Sequence, residues 1–191
     1  MANMKPGERK LQILQALAQM LENPRGEKIT TAALAARLDV SEAALYRHFA
    51  SKAQMYEGLI EFIETTIFTL INQITGNEEN GRAQALSIAG VLLDFAEQNA
   101  GMTKVLIGDA LVNEDERLQV RMNQFVERVE LALRQAWKLA AAQGAIPDSE
   151  SAARAGVMMA FVIGRWHRFA KSGFQQRPSE GGMLMLSLLS A

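Results

Sequence analysis

Long amphipathic runs with a helical repeat occupy most of the chain, and they limit the fold more than any other feature. Apolar residues recur at spacings of three and four, whereas the apolar–polar alternation that marks a strand is missing. The four prolines lie where these runs start or stop. The pattern predicts an all-α protein with helices at about 7–22, 31–38, 41–49, 52–75, 82–99, 102–111, 114–143, 148–172 and 179–190.

Residues suited to helix ends support these boundaries. Ser41 and Ser51 can cap the third and fourth helices, because a serine oxygen accepts a free backbone N–H of the first turn. Asp148 can cap the eighth helix in the same way. The breaks that we expect between helices lie at 23–26, 76–81, 99–101 and 143–148.

The first three helices are short, and only Asp39 and Val40 separate the second from the third. This connection is typical of a helix-turn-helix, in which the second helix of the pair enters the major groove. Leu45 and Phe49 are four residues apart and therefore share the inward face of the third helix. On the first helix we expect one buried stripe, formed by Leu11, Leu14, Leu17, Ala18 and Leu21.

The distribution of charge supports a basic N-terminal module on an acidic body. Residues 1–56 carry eight Lys or Arg and five Asp or Glu, a net charge of +3, so the rest carries −4 of the total of −1. This asymmetry suits a polyanion at one end, although an imbalance of this size also arises by chance. We expect an N-terminal helix-turn-helix bundle of three helices at 1–51. A C-terminal helical bundle for dimerisation and for binding a partner or ligand follows at 52–191.

The outward face of the third helix is small, flat and polar. At about 100° per residue, Ala43 and Arg47 point away from Leu45, with Ala44 and Tyr46 beside them. Alanines let a helix approach base edges closely, and Arg47 is long enough to reach a guanine edge or a phosphate. The pattern favours DNA reading, and the alternative is a plain three-helix bundle with a solvated face.

Residues around this face suit the DNA backbone. Thr30 and Thr31 begin the second helix, where hydroxyls and backbone N–H groups commonly hold phosphates. Tyr46 and Lys52 suit the same role, and Lys52 lies beside the N-terminus of the fourth helix.

The stretch 29–52 resembles the DNA-binding signature of the TetR family. That pattern, T…A…V-S…L-Y-x-H-F-x-S-K, extends over about 25 residues and is far more specific than a short motif. The resemblance implies a homodimer on double-stranded DNA, with Ala43, Ala44 and Arg47 facing the bases. It also implies DNA contacts, chiefly to phosphates, by Thr31, Ser41, Tyr46, His48 and Lys52.

Segments 41–49, 59–64, 108–111 and 116–119 are similar to a narrower family, the nucleoid occlusion factors. That family binds chromosomal sites and, when bound to DNA, antagonises the division GTPase FtsZ. The resemblance therefore implies FtsZ as a partner and a cytoplasmic location on the nucleoid.

The same resemblance implies a site for the FtsZ tail on the fourth and fifth helices. Phe62 and Asn99 match the family, whereas Leu70, Asp94 and Gln98 stand where it tends to place arginine, glycine and arginine. One added acid and two missing cations weaken the attraction for an acidic peptide. The arm before Leu11 also has few cations, only Lys5, Arg9 and Lys10. The candidate tail surface comprises Phe62, Leu70, Val91, Asp94, Gln98 and Asn99.

Two regular patterns mark the C-terminal part. One apolar seam follows the long helix at 114–143 and consists of Leu118, Met122, Phe125, Val129 and Leu133. On the helix at 148–172, small residues recur every four positions, at Ala152, Gly156, Ala160 and Gly164. Such a stripe lets another helix come close, and TetR-like proteins dimerise through their last long helices. We expect a dimer interface there. The alternative is that these small residues lie in the core of the monomer, where its helices pack closely.

Large side chains leave a second function open, that of a ligand-responsive repressor of the TetR type. These side chains could line a small-molecule cavity, although such residues more often form core. They are Phe62, Phe95, Met102, Met122, Phe125, Trp137, Met158, Met159, Phe161 and Trp166. We expect the cations Arg165, His167 and Arg168 to form a solvated helix face.

Composition argues against other classes. The chain has no cysteine and two distant histidines, His48 and His167, so we expect no metal site and no cofactor. Neither a nucleophile motif nor a phosphate-cradling glycine loop is present, so an enzyme is not expected. There is neither an apolar stretch approaching about 18 residues nor a leader pattern, which predicts a cytoplasmic protein without a membrane span.

Overall fold

The computed structural model describes residues 7–23 and 29–190, and this part of the chain contains helices and no strand. The predicted break at 23–26, apart from Asn23, and the arm cation Lys5 lie outside the described residues. No described helix is long and apolar enough to cross a membrane. Two 3₁₀ turns lie at Asp109–Leu111 and Asp148–Glu150. The α-helices are α1 (Glu8–Leu21), α2 (Thr31–Arg37), α3 (Glu42–Tyr46), α4 (Lys52–Asn77), α5 (Gly81–Gln98), α6 (Ala100–Leu106), α7 (Glu116–Ala142), α8 (Ser151–Lys171) and α9 (Gly182–Leu189).

One apolar core fills the body, and α5 runs through its middle. This helix packs against α4, α7, α8 and α9. Its residues Ala85, Ile88, Ala89 and Leu92 have no solvent exposure. The seam predicted on α7 is buried in the same core. Burial of this apolar surface is the main favourable contribution to the stability of the fold.

Two of the three predicted caps are confirmed. Ser41 Oγ accepts a hydrogen bond from the backbone N–H of Ala44 (3.3 Å), and Ser51 Oγ accepts one from Gln54 (3.2 Å). The prediction for Asp148 is wrong. That residue begins a 3₁₀ turn and α8 starts only at Ser151, so its carboxylate precedes the free N–H groups of the helix by a full turn.

Two other details predicted from the sequence are wrong. The predicted helix at 102–111 is two elements, because Gly108 adopts a left-handed φ of 80°, which separates α6 from the 3₁₀ turn. Leu11 is 51% exposed, whereas Ile13 is fully buried. Leu11 lies only about 20° around α1 from the buried Ala18, so its exposure follows from its place in the first turn of the helix rather than from the face it is on.

Two contacts fix α1 against the body. At Gly101, a Cβ atom would lie 2.0 Å from the carbonyl oxygen of Ala18, so only glycine permits this approach of α6 to α1. Beside it, Lys104 Nζ donates to the carbonyl oxygen of Asn23 (2.7 Å). The helix-turn-helix is therefore attached to α6 as well as to α4.

Arg165 holds the segment that leads into α9. Its guanidinium donates to the backbone carbonyl oxygens of Arg177 (2.7 Å), Pro178 (3.0 Å) and Glu180 (2.7 Å). The prediction of a solvated face is therefore wrong for Arg165, since three carbonyl groups replace water around it. His167 and Arg168 are exposed, as predicted.

Candidate nucleic-acid interface

The turn between α2 and α3 has the compact geometry of a helix-turn-helix. Asp39 adopts a left-handed φ of 53°, and the N–H of Val40 donates back to the carbonyl of Ala35 (3.0 Å). Leu34 and Leu45 are each 1% exposed and fix the two helices against the core. Helix α3 is shorter than predicted, because the N–H of His48 bonds to the carbonyl three residues back, as in a 3₁₀ turn (2.9 Å).

The outward face of α3 is arranged as the helical geometry predicts. Ala43, Tyr46 and Arg47 are exposed, Ala44 and His48 are half-buried, and Phe49 is buried with Leu45. Arg47 makes no hydrogen bond or ion pair with the residues that the structure describes, so its guanidinium is available to a ligand.

A short hydrogen-bond chain joins α2 to α3 on this face. The Tyr46 hydroxyl donates to Thr31 Oγ1 (3.5 Å), and Thr31 donates to a carboxylate oxygen of Glu42 (2.5 Å). Two predicted DNA contacts are thus linked to an acid that sequence reasoning missed. Glu42 follows the capping Ser41 in the sequence. That position indicates the start of a helix, but it does not indicate that Glu42 accepts a hydrogen bond from Thr31.

Two of the predicted phosphate contacts also act as helix caps. Thr30 Oγ1 accepts from the N–H of Ala33 (3.1 Å), and Ser41 Oγ caps α3. Each hydroxyl keeps its own hydrogen, which can be donated to a phosphate oxygen. Both residues are exposed at the N-terminus of a short helix.

Lys52 lies at the edge of this surface and forms an ion pair inside the protein. Its ammonium contacts a carboxylate oxygen of Glu114 and lies 5.6 Å from the ring centroid of Tyr56. Burial raises the pKa of the Tyr56 phenol well above its usual value, and the nearby Glu114 carboxylate raises it further. Glu114 is 62 residues away in the chain, so no local sequence signal could have revealed this pair.

The predicted tail surface is spread over adjoining helices. On α5, Val91 is half-buried and Asp94 and Gln98 are exposed. Helix α5 packs against α4, on which Leu70 is half-buried. Phe62 is 42% exposed, and it lines a pocket of about 340 Å³ that faces α1. The other residues lining this pocket are Lys10, Leu14, Phe49, Gly58, Glu61 and Thr65.

Asn99 ends α5, and its side-chain amide already donates to the carbonyl of Phe95 (2.8 Å). Only its side-chain oxygen and its second N–H are therefore left for a bound peptide. The pocket beside Phe62 is formed between α1 and α4, and no short sequence motif signals it.

The stripe of small residues lies on the outer face of α8. Ala152, Ala160 and Gly164 are exposed and Gly156 is half-buried. The alternative of a thinned monomer core is therefore wrong, because most of these positions face away from the core. Val157 on α8 is 51% exposed, and on α9, which packs against α8, Leu184 and Leu188 are 67% and 69% exposed.

Two family models match the chain. The model described as bacterial regulatory proteins of the TetR family matches residues 25–59, which include the helix-turn-helix. A tetracycline-repressor-like C-terminal domain of the SlmA type matches residues 83–190, more than half of the chain.

Relatives extend the match over nearly the whole length. The nucleoid occlusion factor SlmA of Marinomonas sp. is 49% identical, with 92% of this chain and 90% of the relative covered. That of Photobacterium profundum is 47% identical, with 100% and 98% covered. The chain belongs to the SlmA family of TetR-type regulators.

Solved structures show that this SlmA-family chain has the TetR fold. The regulator PfmR of Thermus thermophilus superposes with a TM-score of 0.78 at 18% identity, covering 93% of this chain and 96% of that one. The fatty acid degradation regulator FadR of Bacillus halodurans gives 0.79 at 11% identity, covering 98% and 97%. At these identities the likeness concerns the fold alone.

Proposed function

We propose that this protein is a nucleoid occlusion factor, a homodimer that binds chromosomal DNA through α3 and, when DNA-bound, restrains ring assembly by FtsZ. The observation that carries the proposal is identity of nearly half over almost the whole length of curated SlmA proteins. The exposed outer face of α3 supports the DNA-binding part. Its place of action is then the nucleoid, in the cytoplasm.

On DNA, the residues of the interface divide into two roles. Ala43, Ala44 and Arg47 face base edges, with Arg47 free to donate two hydrogen bonds to a guanine. Residues at helix starts and beside the turn hold the phosphates and set the register of α3. These are Thr30, Thr31, Ser41, Tyr46, His48 and Lys52.

The homodimer forms through the outer face of α8. Ala152, Gly156, Ala160 and Gly164 let the partner helix approach closely, and a two-fold axis makes the stripe pack against itself. Exposed Leu184 and Leu188 on α9, which packs against α8, extend this apolar face. A patch of this kind on a protein in water favours an interface.

The tail of FtsZ binds the surface that joins α4 to α5. Phe62 and Val91 supply apolar contact and Asn99 a hydrogen bond, while Leu70, Asp94 and Gln98 complete the site. Asp94 opposes an acidic peptide, so binding here relies on apolar contact more than on charge.

The ligand-responsive repressor has no separate support. Six of the side chains considered for a cavity are at most 1% exposed and belong to the continuous apolar core. They are Met122, Phe125, Trp137, Met158, Met159 and Trp166.

A peptide titration tests the proposed function. We expect the dimer bound to a duplex selected from random sequences to bind an FtsZ C-terminal tail peptide, and to bind it more weakly without DNA. Asp94→Gly should strengthen binding, most visibly at low salt, because it removes the repulsive carboxylate. Fluorescence anisotropy of a labelled peptide measures both effects.

Two further variants complete this titration. Asp94→Asn removes the same charge without placing a glycine in the helix, and Glu127→Gln removes an exposed acid from α7 as the matched control. The occlusion function is wrong if no peptide binds at high concentration, with and without DNA and in both Asp94 variants.

A further inference from the structure

Lys52 is not a free cation, because it forms an ion pair with Glu114. Its side chain is 21% exposed and that of Glu114 is 14%, so their ion pair is shielded from most of the solvent. Lys52 begins α4 at the edge of the DNA face, whereas Glu114 lies in the segment that leads into α7. The pair therefore joins the DNA-binding end of α4 to the body.

The neighbouring acids have other arrangements. Asp115 caps α7 and receives hydrogen bonds from the guanidinium of Arg117 (Nη2–Oδ2 2.6 Å), which lower the pKa of Asp115 to about 2. Glu116 is exposed on the first turn of α7. Of these three successive acids, only Glu114 contacts Lys52.

The backbone around Glu114 holds it in place. Asn113 adopts a left-handed φ of 64°, and the N–H of Glu114 donates to the carbonyl of Leu111 (3.1 Å). The folded backbone of this segment therefore helps to position the Glu114 carboxylate beside Lys52. A phosphate that approaches Lys52 would place a second anion beside Glu114.

We propose that Glu114 holds Lys52 in the DNA-free protein and that a DNA phosphate displaces it, so that DNA binding breaks a link between α4 and the start of α7. This inference rests on the proposed DNA-binding function, in which Lys52 contacts a phosphate. Glu114 is a positioning residue, because it acts on DNA affinity through Lys52. The exchange also weakens DNA binding, since the ion pair must be lost when the phosphate contact forms.

The first test is a salt titration of DNA binding with Glu114→Gln, which keeps the shape of the side chain. We expect about two- to fivefold tighter binding than wild type at low salt, because no ion pair has to break. The slope of log affinity against log salt should steepen by up to about one, since Lys52 then neutralises a phosphate at no cost to Glu114. Both a selected duplex and a mixed-sequence duplex serve as probes.

Glu116→Gln is the matched control, because it removes the same charge two residues along without touching Lys52. We expect it to change affinity less than Glu114→Gln. In a Lys52→Ala background the two glutamine variants should act alike, because the residue through which Glu114 works is gone. The inference is overturned if they act alike in the wild-type background, or if Glu114→Gln keeps its larger effect without Lys52.

Amide hydrogen exchange tests directly whether the contact between Lys52 and Glu114 is lost on DNA binding. Amides at 112–116 should exchange faster when duplex is added to the wild type, and they should already exchange faster in DNA-free Glu114→Gln. Unchanged exchange in the wild type on DNA would contradict the release.

If the wild type binds neither duplex, the proposed function fails together with this inference. If the wild type binds DNA and only the comparison of the glutamine variants fails, the proposed function stands.

Discussion

Arg47 is the residue on which we expect base reading to depend most. It is exposed at the end of α3 and is bound to no described residue. Nearby, Tyr46 and Thr31 are already joined through hydrogen bonds that lead to Glu42. A free guanidinium loses no internal partner when it meets a base, whereas those hydroxyls must rearrange.

Replacing Arg47 by alanine should therefore cost about 1–3 kcal/mol of binding to a selected duplex and relax the preference at one base position. Competition with single-base variants of that duplex measures both effects. An equal loss on selected and mixed-sequence duplexes would instead make Arg47 a phosphate contact.

At the scale of helices and turns, α9 depends on Arg165. The three carbonyl groups that Arg165 binds belong to the segment before α9, and that helix then packs its Leu186 into the core. The Gly182 position is also tight, because a Cβ there would lie 2.9 Å from a side-chain carbon of Leu93. The guanidinium thus sets where α9 begins.

Arg165→Met keeps the apolar part of the side chain and removes these donors. We expect α9 to loosen and the free energy of unfolding to fall by about 1–3 kcal/mol. Limited proteolysis near 177–190 and urea denaturation measure the two effects. Arg168→Met is the control and should change both measurements little, because among the described residues the Arg168 side chain donates only to the exposed side chain of Gln176 (3.2 Å).

Helices and their caps could largely be predicted from the sequence, because they depend on neighbours within four residues. The turn at Asp39, the caps at Ser41 and Ser51, and the outward face of α3 are of this kind. The ion pair of Lys52 with Glu114 could not be predicted, since it joins residues 62 positions apart. The roles of individual DNA-facing and tail-facing residues stay predictions.

For the whole molecule, we propose that α8 determines the arrangement of the two protomers. Ala160 lies on the outer face and is exposed, so a larger side chain there meets solvent in the single protomer. In the proposed two-fold dimer the same side chain meets its copy near the axis. The division into domains at 1–51 and 52–191 stays a prediction, and the contacts of α1 with α6 cross that boundary.

Ala160→Leu should weaken the dimer while leaving the fold of each protomer intact, because overpacking typically costs about 1–3 kcal/mol and the axis doubles it. Sedimentation measures the dimer and circular dichroism the helices. Thr69→Leu adds bulk at an exposed position on α4 and should leave the dimer unchanged. A wild-type dissociation constant for Ala160→Leu would place the interface elsewhere.

The contact between Gly101 and Ala18 limits how closely α1 can approach α6. Because the backbones of α6 and α1 already touch, there is no side chain between them to compress, and α1 cannot move closer to α6 without a backbone clash. In the proposed two-fold dimer, any change in the angle between α1 and α6 would occur in both protomers and would change the separation of the two α3 helices. In the proposed dimer on DNA, we therefore expect the angle at this contact to contribute to the spacing of the half-sites that the protein spans.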